Sequence, residues 1–457
     1  MSFSFRGFNL VESVLRHTPE QLRRFIRRMK TLGFNSLIVQ YDYGFRRHQK
    51  LICEECDAAG IEIRLMVFGP RTFFRLAGGT AELFAKDENG VPFFSEPVCE
   101  SWPCVFAPRV LDTFAAGCAE FLRGLPSQIR IVQMRSGDGL YSCRCPRCRN
   151  LTVSESWLPF VKSFVDTAHR LRPELRLEAD LYIRRYEIPS DPAILHELDF
   201  LMYDTFFRQA QTPLGQHSAN TGAMRTALDG PPAPGSSPNE YHAEQLRRWS
   251  AKFPGKIYIH ENAMLQSYHG VFQHNTGTML ADLEFYRQLG IAGVVYEAYE
   301  PGYENFAAHF STLARALSGR SSVYEPTELE LAFRNRKPAG YFCTDPDFPL
   351  ERYLTGTMLK HVSSEREILL NPTAPRYREY VQFAYENADH LDSLYMAFDM
   401  AQRAERSRKI SFAQASPEAL KMLHTPKLWD YMEELPDTVD QFAHCRELID
   451  DLARHAK

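Results

Sequence analysis

Ionisable side chains in this sequence gather where short apolar runs end, an arrangement that suits either acid–base cleavage of a polar bond or the holding of a cation. One run ends in Met134-Arg135-Ser136-Gly137-Asp138-Gly139, and another carries Glu178 and Asp180. Three more end in Met202-Tyr203-Asp204, His260-Glu261-Asn262 and Tyr296-Glu297-Ala298-Tyr299-Glu300. Glycosidic-bond hydrolysis needs two such carboxyls, one to protonate the leaving oxygen and one to attack or stabilise an oxocarbenium-like centre. Asp138 is the expected general acid/base and Glu261 the expected nucleophile or stabiliser. Arg135, Asp180, Tyr203, Asp204, His260, Asn262, Glu297 and Tyr299 are expected to bind substrate, through hydroxyl hydrogen bonds and ring stacking. If the pair acts by double displacement, the two carboxyls should lie about 5–5.5 Å apart, and about 6.5–9.5 Å apart for inversion.

Each residue also has a plainer reading. Asp138 lies between two glycines and could be a turn former. Strand-end acids such as Asp204 and Glu297 could pair with a neighbouring arginine. Glu178 and Asp180 are two apart on one strand, so they share a face.

The loop Cys143-Arg144-Cys145-Pro146-Arg147-Cys148 brings three thiols into one tight turn. Tetrahedral zinc takes four ligands, commonly in Cys-x2-Cys half-sites. A structural zinc on Cys143, Cys145 and Cys148 therefore needs a fourth ligand from elsewhere, with Cys104 and Cys99 as candidates. Unmetallated thiols packing the loop are the alternative. Cys53 and Cys56 have the same spacing on an expected helix and read as packing.

The elements that must carry these residues follow one rhythm. Strands are expected at Ser4–Leu10, 36–41, Ile61–Phe68, Ile129–Met134, Arg176–Tyr182, Phe200–Phe206, Lys256–His260 and Ala292–Tyr296, from their continuous apolar centres. Between them lie amphipathic stretches. In Pro19–Leu32, for example, Leu22, Phe25, Ile26, Met29 and Leu32 share one face, and Gly33 stops the helix. Other helices are expected from about Arg47 to Ala59, Pro108–Leu122, Ser156–Leu171, Glu240–Phe253, Thr278–Leu289 and Asn305–Leu317. Residues 70–105 read as a long loop over a barrel mouth, and 207–238 as a Gly/Pro/Ser-rich lid. The rhythm and length predict a (β/α)8 barrel over 1–320, whose active site lies at the C-terminal strand ends. A doubly wound sheet is the rival, but no Gly-rich phosphate fingerprint follows any strand. Residues 321–457 read as a helical C-terminal domain, which could mediate a homodimer.

Composition narrows the function classes. The chain has 457 residues, 44% hydrophobic, with net charge -4, so no basic excess points to nucleic acid or an anionic membrane. No apolar run approaches the ~18 residues of a membrane span. The start, Met1-Ser2-Phe3-Ser4-Phe5-Arg6, lacks a signal-peptide pattern, so a cytoplasmic protein is expected.

The strand-end Arg135-Ser136-Gly137-Asp138-Gly139, followed by Cys143-x-Cys145-x2-Cys148, resembles the Asp-Gly plus Cys-x-Cys-x2-Cys signature of a bacterial family of barrel proteins. That family is similar to glycoside hydrolase family 163, which includes endo-β-N-acetylglucosaminidases acting on N-glycans. The resemblance covers roughly residues 4–320 and is sharp around 135–148. It implies a (β/α)8 barrel and hydrolysis of a glycosidic bond without a catalytic cofactor. By motif it carries over Asp138 and the loop cysteines. With no evident leader and no β-rich domain before strand one, a small imported oligosaccharide fits better than an extracellular N-glycan. Two other classes stay open from the residues alone. One is a metal-dependent sugar isomerase or lyase using Asp180, Asp204, Glu261, Glu297 and His260; the other is a barrel that binds sugar without turnover.

Overall fold

The computed structural model describes residues 2–10, 14, 17–79, 81–91, 103–137, 143–206, 208, 212–217, 237–261, 276–298, 307–320 and 322–325. Eight parallel strands close in sequence order into a barrel, β1 pairing with both β2 and β8. They are β1 Phe5–Asn9, β2 Ser36–Gln40, β3 Glu62–Phe68, β4 Ile131–Arg135, β5 Arg176–Leu181, β6 Phe200–Asp204, β7 Ile257–Glu261 and β8 Gly293–Glu297. Around them run α1 Pro19–Leu32, α2 Arg46–Ala59, α3 Gly69–Leu76, α4 Val110–Arg123, α5 Val153–Leu171, α6 Pro238–Lys252, α7 Thr276–Gln288 and α8 Ala307–Leu317. The expected (β/α)8 barrel is therefore observed. Among the described residues, no helix is long and apolar enough to cross a membrane.

Local signals account for the helix boundaries. Thr18, Thr152 and Ser237 each form a capping box at the start of α1, α5 and α6. Gly33 (φ 95°) ends α1 in the left-handed region, where a side chain would be strained. Gly7 answers to contact instead, since a Cβ there would meet the Ser36 carbonyl oxygen at 2.0 Å.

Two expected connections differ. Within the expected loop 70–105, Gly69–Leu76 forms α3, whose residues Gly69, Pro70, Thr72, Phe73 and Phe74 are buried. Between β5 and β6 the only regular helical turn among the described residues is the 3-10 segment Ala193–Glu197. Most of the expected lid and, past residue 325, the expected helical C-terminal domain lie outside the described residues.

Among the described residues the hydrophobic core has two main compartments. The larger lies between strands and helices and contains Leu37, Val132, Tyr203, Ile257, Ile259 and Tyr296. The smaller fills the barrel with Phe5, Ile38, Met66, Met202, Tyr258 and Val295. Beside it a polar plug crosses the barrel. Arg64 binds Glu178, Tyr258 donates to Glu178 (2.9 Å), and Gln133 donates to the Tyr258 hydroxyl (3.0 Å). The Arg64 guanidinium also lies 3.7 Å from the Phe5 ring centroid. Burial pushes the Glu178 carboxyl up, against the pull of Arg64.

Candidate functional site

Side chains alternate between the two compartments along each strand. The plug and the inner apolar cluster fix which parity faces inward: Ile38, Met66, Gln133, Glu178, Met202, Tyr258 and Val295. Two residues further along, the same face carries Gln40, Phe68, Arg135, Asp180, Asp204, His260 and Glu297. Asn9 joins them from β1. Contacts between strands that are not neighbours confirm the direction. Asn9 on β1 meets His260 on β7 (Nδ2 to Nε2, 2.9 Å), and Arg135 on β4 lies 3.9 Å from Asp204 on β6.

The ring is buried and electrostatically linked. Asp180, Asp204 and His260 are at most 1% exposed, and Glu297 is 4% exposed. His260 Nδ1 lies 2.7 Å from Asp204 Oδ2. Burial opposes a charged imidazole, but the Asp204 and Glu297 carboxylates outweigh it and raise the His260 pKa. Once His260 is protonated, both ring nitrogens donate, and Asn9 must turn its Oδ1 rather than its amide nitrogen toward Nε2. Asp180 accepts from the Ser136 backbone N–H (3.1 Å) and hydroxyl (2.9 Å). Burial nevertheless raises the Asp180 pKa, against Arg185 and Arg135.

A strained turn after β5 supports one wall. Ile183 (φ 21°) and Arg184 (φ 60°) both have positive φ, a conformation that costs of order 1–3 kcal/mol per non-glycine residue. Arg185 stabilises it by donating to the Tyr182 and Ile183 carbonyls at 2.9 and 2.8 Å. Tyr182 is thereby set under the Arg135 guanidinium, 4.2 Å from its ring centroid.

Two expected site residues face the other way. Tyr203 shares its parity with Leu201, and its hydroxyl lies 2.9 Å from His242 Nδ1 on α6. His242 Nε2 lies 2.8 Å from the Phe206 carbonyl oxygen, and burial pushes its pKa down to about 4. The ring is therefore neutral near pH 7; Nε2–H donates to Phe206 and Nδ1 accepts from Tyr203.

Glu261 shares its parity with Ile257 and Ile259 and turns toward α7. It accepts from Thr205 (3.0 Å), Arg208 (3.0 Å) and Tyr286 (2.9 Å). Arg208 also donates to Asp282 on α7 (2.7 Å) and to the Thr212 carbonyl (3.0 Å). This is a buried ionic tie between strand and helix, and it sets the expected nucleophile Glu261 among Thr205, Arg208 and Tyr286 rather than among the inward-facing ring residues.

Asp282 makes this tie pH-sensitive. Burial pushes its pKa up to about 6 from a model-peptide value of 3.8, with Arg208 pulling down and Glu261 pushing up. A raised folded-state pKa means that stability from this group is complete below pH about 4 and lost as pH rises through 6. The destabilisation caused by Asp282→Asn should thus be smaller at pH 7 than at pH 4, by up to about 3 kcal/mol in this linkage. Urea unfolding of both proteins at the two pH values measures it; a difference of opposite sign refutes the assignment.

The thiols converge outside the ring. The Sγ atoms of Cys104, Cys143, Cys145 and Cys148 all lie within 4.8 Å of one another, so the cluster could hold a metal ion. Cys104 supplies the fourth position, and Cys99 lies outside the described residues. Asp138, Asn262 and Tyr299 also lie outside them. The ring residues Asn9 and Gln40 were missed by the sequence reading, as was the supporting Arg185. Asn9 and Gln40 lie two positions after Gly7 and Ile38, so only the phase of their strands could have found them, and Arg185 lies past the end of β5 with no strand signal at all.

The chain matches no protein-family model and no curated protein. Solved structures similar to it include the endo-β-1,4-mannanase of Thermotoga petrophila, at 10% identity and TM-score 0.41, covering 71% of this chain and 79% of that one. The β-galactosidase of the psychrophilic Marinomonas ef1 is similar at 11% identity and TM-score 0.46, covering 68% and 59%. A D-allulose 3-epimerase from Methylomonas sp. is similar at 10% identity and TM-score 0.36, covering 69% and 96%. Hydrolases and an epimerase thus stand side by side, and these likenesses do not assign a reaction.

Proposed function

We propose that this chain is a glycoside hydrolase acting on a small oligosaccharide at the C-terminal mouth of the barrel. The observation that carries this reading is the inward ring of three carboxylates, Asp180, Asp204 and Glu297, beside Arg135 and a His260 biased toward its charged form. Carboxylates in a water-poor site stabilise the positive charge that develops at an anomeric carbon. Asp138, three residues past β4 in the sequence, is proposed as proton donor. Glu297 takes the role expected of Glu261. The His260 imidazolium stabilises negative charge on Glu297, which a nucleophile or stabiliser needs. Asp204 positions His260, and Arg135, Asp180, Asn262 and Tyr299 are proposed to bind hydroxyl or acetamido groups. A β-N-acetylglucosaminide is the first substrate to try. The proposed chemistry uses no cofactor, and a structural zinc ion is proposed for the four cysteines.

The test is turnover of a panel of α- and β-aryl glycosides, with and without a weak chelator that leaves tightly held zinc in place. Release from one anomer, unaffected by chelator and abolished in Asp138→Asn, is the expected result. Activity restored by added divalent ion after chelation would favour the isomerase or lyase reading instead. Binding of intact sugar with no release from any glycoside or matching oligosaccharide would favour a carbohydrate-binding barrel.

A further inference from the structure

The four-cysteine cluster joins two parts of the chain that are far apart in sequence. Cys104 belongs to the connection between β3 and α4, and the other three belong to the loop between β4 and α5. Cys104 Sγ lies 3.9 Å from Cys145 Sγ and 3.7 Å from Cys148 Sγ. With Zn–S bonds of about 2.3 Å, the sulfurs of a regular tetrahedron stand about 3.8 Å apart. Those two separations match ligands around one ion, and all four sulfurs stay within 4.8 Å of one another. Disulfides need about 2.05 Å between sulfurs, and these cysteines are free.

The surroundings also suit thiolates. The Lys86 backbone N–H donates to Cys143 Sγ (3.3 Å), and backbone amides of Cys145 and Phe106 donate to Cys143 and Cys104. Amide donors of this kind stabilise charge on metal-bound sulfur. Arg144 and Arg147 are exposed beside the cluster, and Arg147 stacks 4.1 Å from the Phe106 ring centroid. Their charge offsets the net −2 of four thiolates around one divalent ion.

We infer that Cys104, Cys143, Cys145 and Cys148 form a closed tetrathiolate zinc site that fastens the β3–α4 connection to the β4–α5 loop. Four soft sulfur ligands fill the coordination sphere, so the ion has a mechanical role and no open position for substrate. Binding displaces the thiol protons to solvent. Among the described residues, the polar links between the two segments besides the thiols include the Arg144 N–H to Lys86 carbonyl bond (2.7 Å), the Lys86 amide to Cys143, the exposed Arg144–Glu88 pair (4.0 Å) and Arg147 over the Phe106 ring. The ring residue Arg135 lies eight positions before Cys143, so the clamp also steadies one side of the mouth. That last consequence rests on the hydrolase reading; the metal site itself does not.

The full-length protein, expressed with added zinc, should contain one zinc per chain. Cobalt exchanged into it should give the visible bands and near-ultraviolet charge transfer of a tetrahedral tetrathiolate. Cys104→Ser should lose the ion or change that spectrum, while Cys53→Ala keeps both. Removing zinc with a strong chelator should lower Tm by at least about 5 °C. It should also speed amide hydrogen exchange in 103–107 and 143–151, with β7 unaffected. Less than half an equivalent of metal in the wild-type protein, or an octahedral cobalt spectrum, overturns the site. Unchanged Tm and exchange after zinc removal overturn the clamp. If zinc binds as described yet no glycoside is cleaved, the hydrolase reading fails and the metal assignment stands.

Discussion

Replacing Glu297 with glutamine is expected to lower kcat by about a thousandfold while leaving the barrel folded. The change removes one negative charge from the ring and keeps the side chain's shape, so the loss falls on transition-state charge. Positioned acid–base or electrostatic groups are commonly worth 10²–10⁴-fold each. Substrate affinity should change far less than kcat, because ground-state sugar carries no developing cation. The same substitution also takes a carboxylate away from His260. Since Glu297 helps raise the His260 pKa, the histidine should titrate at lower pH in the variant, which two-dimensional NMR of labelled imidazole can follow. Turnover retained within tenfold would remove Glu297 from the mechanism.

Breaking the outward network should have the opposite signature. Arg208→Ala leaves Glu261 and Asp282 buried without their shared cation, each at 1% exposure. Removing one partner from a buried ion pair typically costs about 3–5 kcal/mol, because the remaining charge cannot be hydrated. A drop in Tm of roughly 6–20 °C follows for a chain of this size. The companion change Glu261→Gln should be milder, since an amide oxygen in the Oε2 position can still accept from Tyr286 and Arg208 while its NH2 donates to the Thr205 hydroxyl. Both variants should keep kcat per folded molecule within about threefold where temperature leaves them folded. Thermal unfolding and active-site-normalised kinetics together check this. A Glu261→Gln protein with normal Tm and no turnover would restore Glu261 as the nucleophile.

The contrast between Glu297 and Glu261 shows what a linear chain reveals here. Strand positions were legible because apolar runs and helix stops repeat: Gly33 and Gly60 stand where α1 and α2 end. Which face of a strand points inward was harder to read. Strands of a parallel barrel are buried on both faces, so apolar character does not alternate. In β7, Ile257 and Ile259 face the helices while Tyr258 and His260 face the axis, and Glu261 continues the isoleucine side. The polar pairs Gln133/Arg135, Glu178/Asp180 and Tyr258/His260 carried the correct phase, two residues apart. Helix α3 escaped notice because it spans only eight residues at the start of a Gly-, Pro- and aromatic-containing stretch without clear periodicity, which reads as a loop. Cys104 could not be chosen over Cys99 by spacing, because 39 residues separate it from Cys143 and only folding brings them together.

The polar plug has a consequence for traffic. Arg64, Glu178, Tyr258 and Gln133 are each at most 1% exposed and seal the barrel axis beneath the ring. On the hydrolase reading proposed above, sugar, water and products then exchange with the ring from the C-terminal side of the barrel, and none of them passes along its axis.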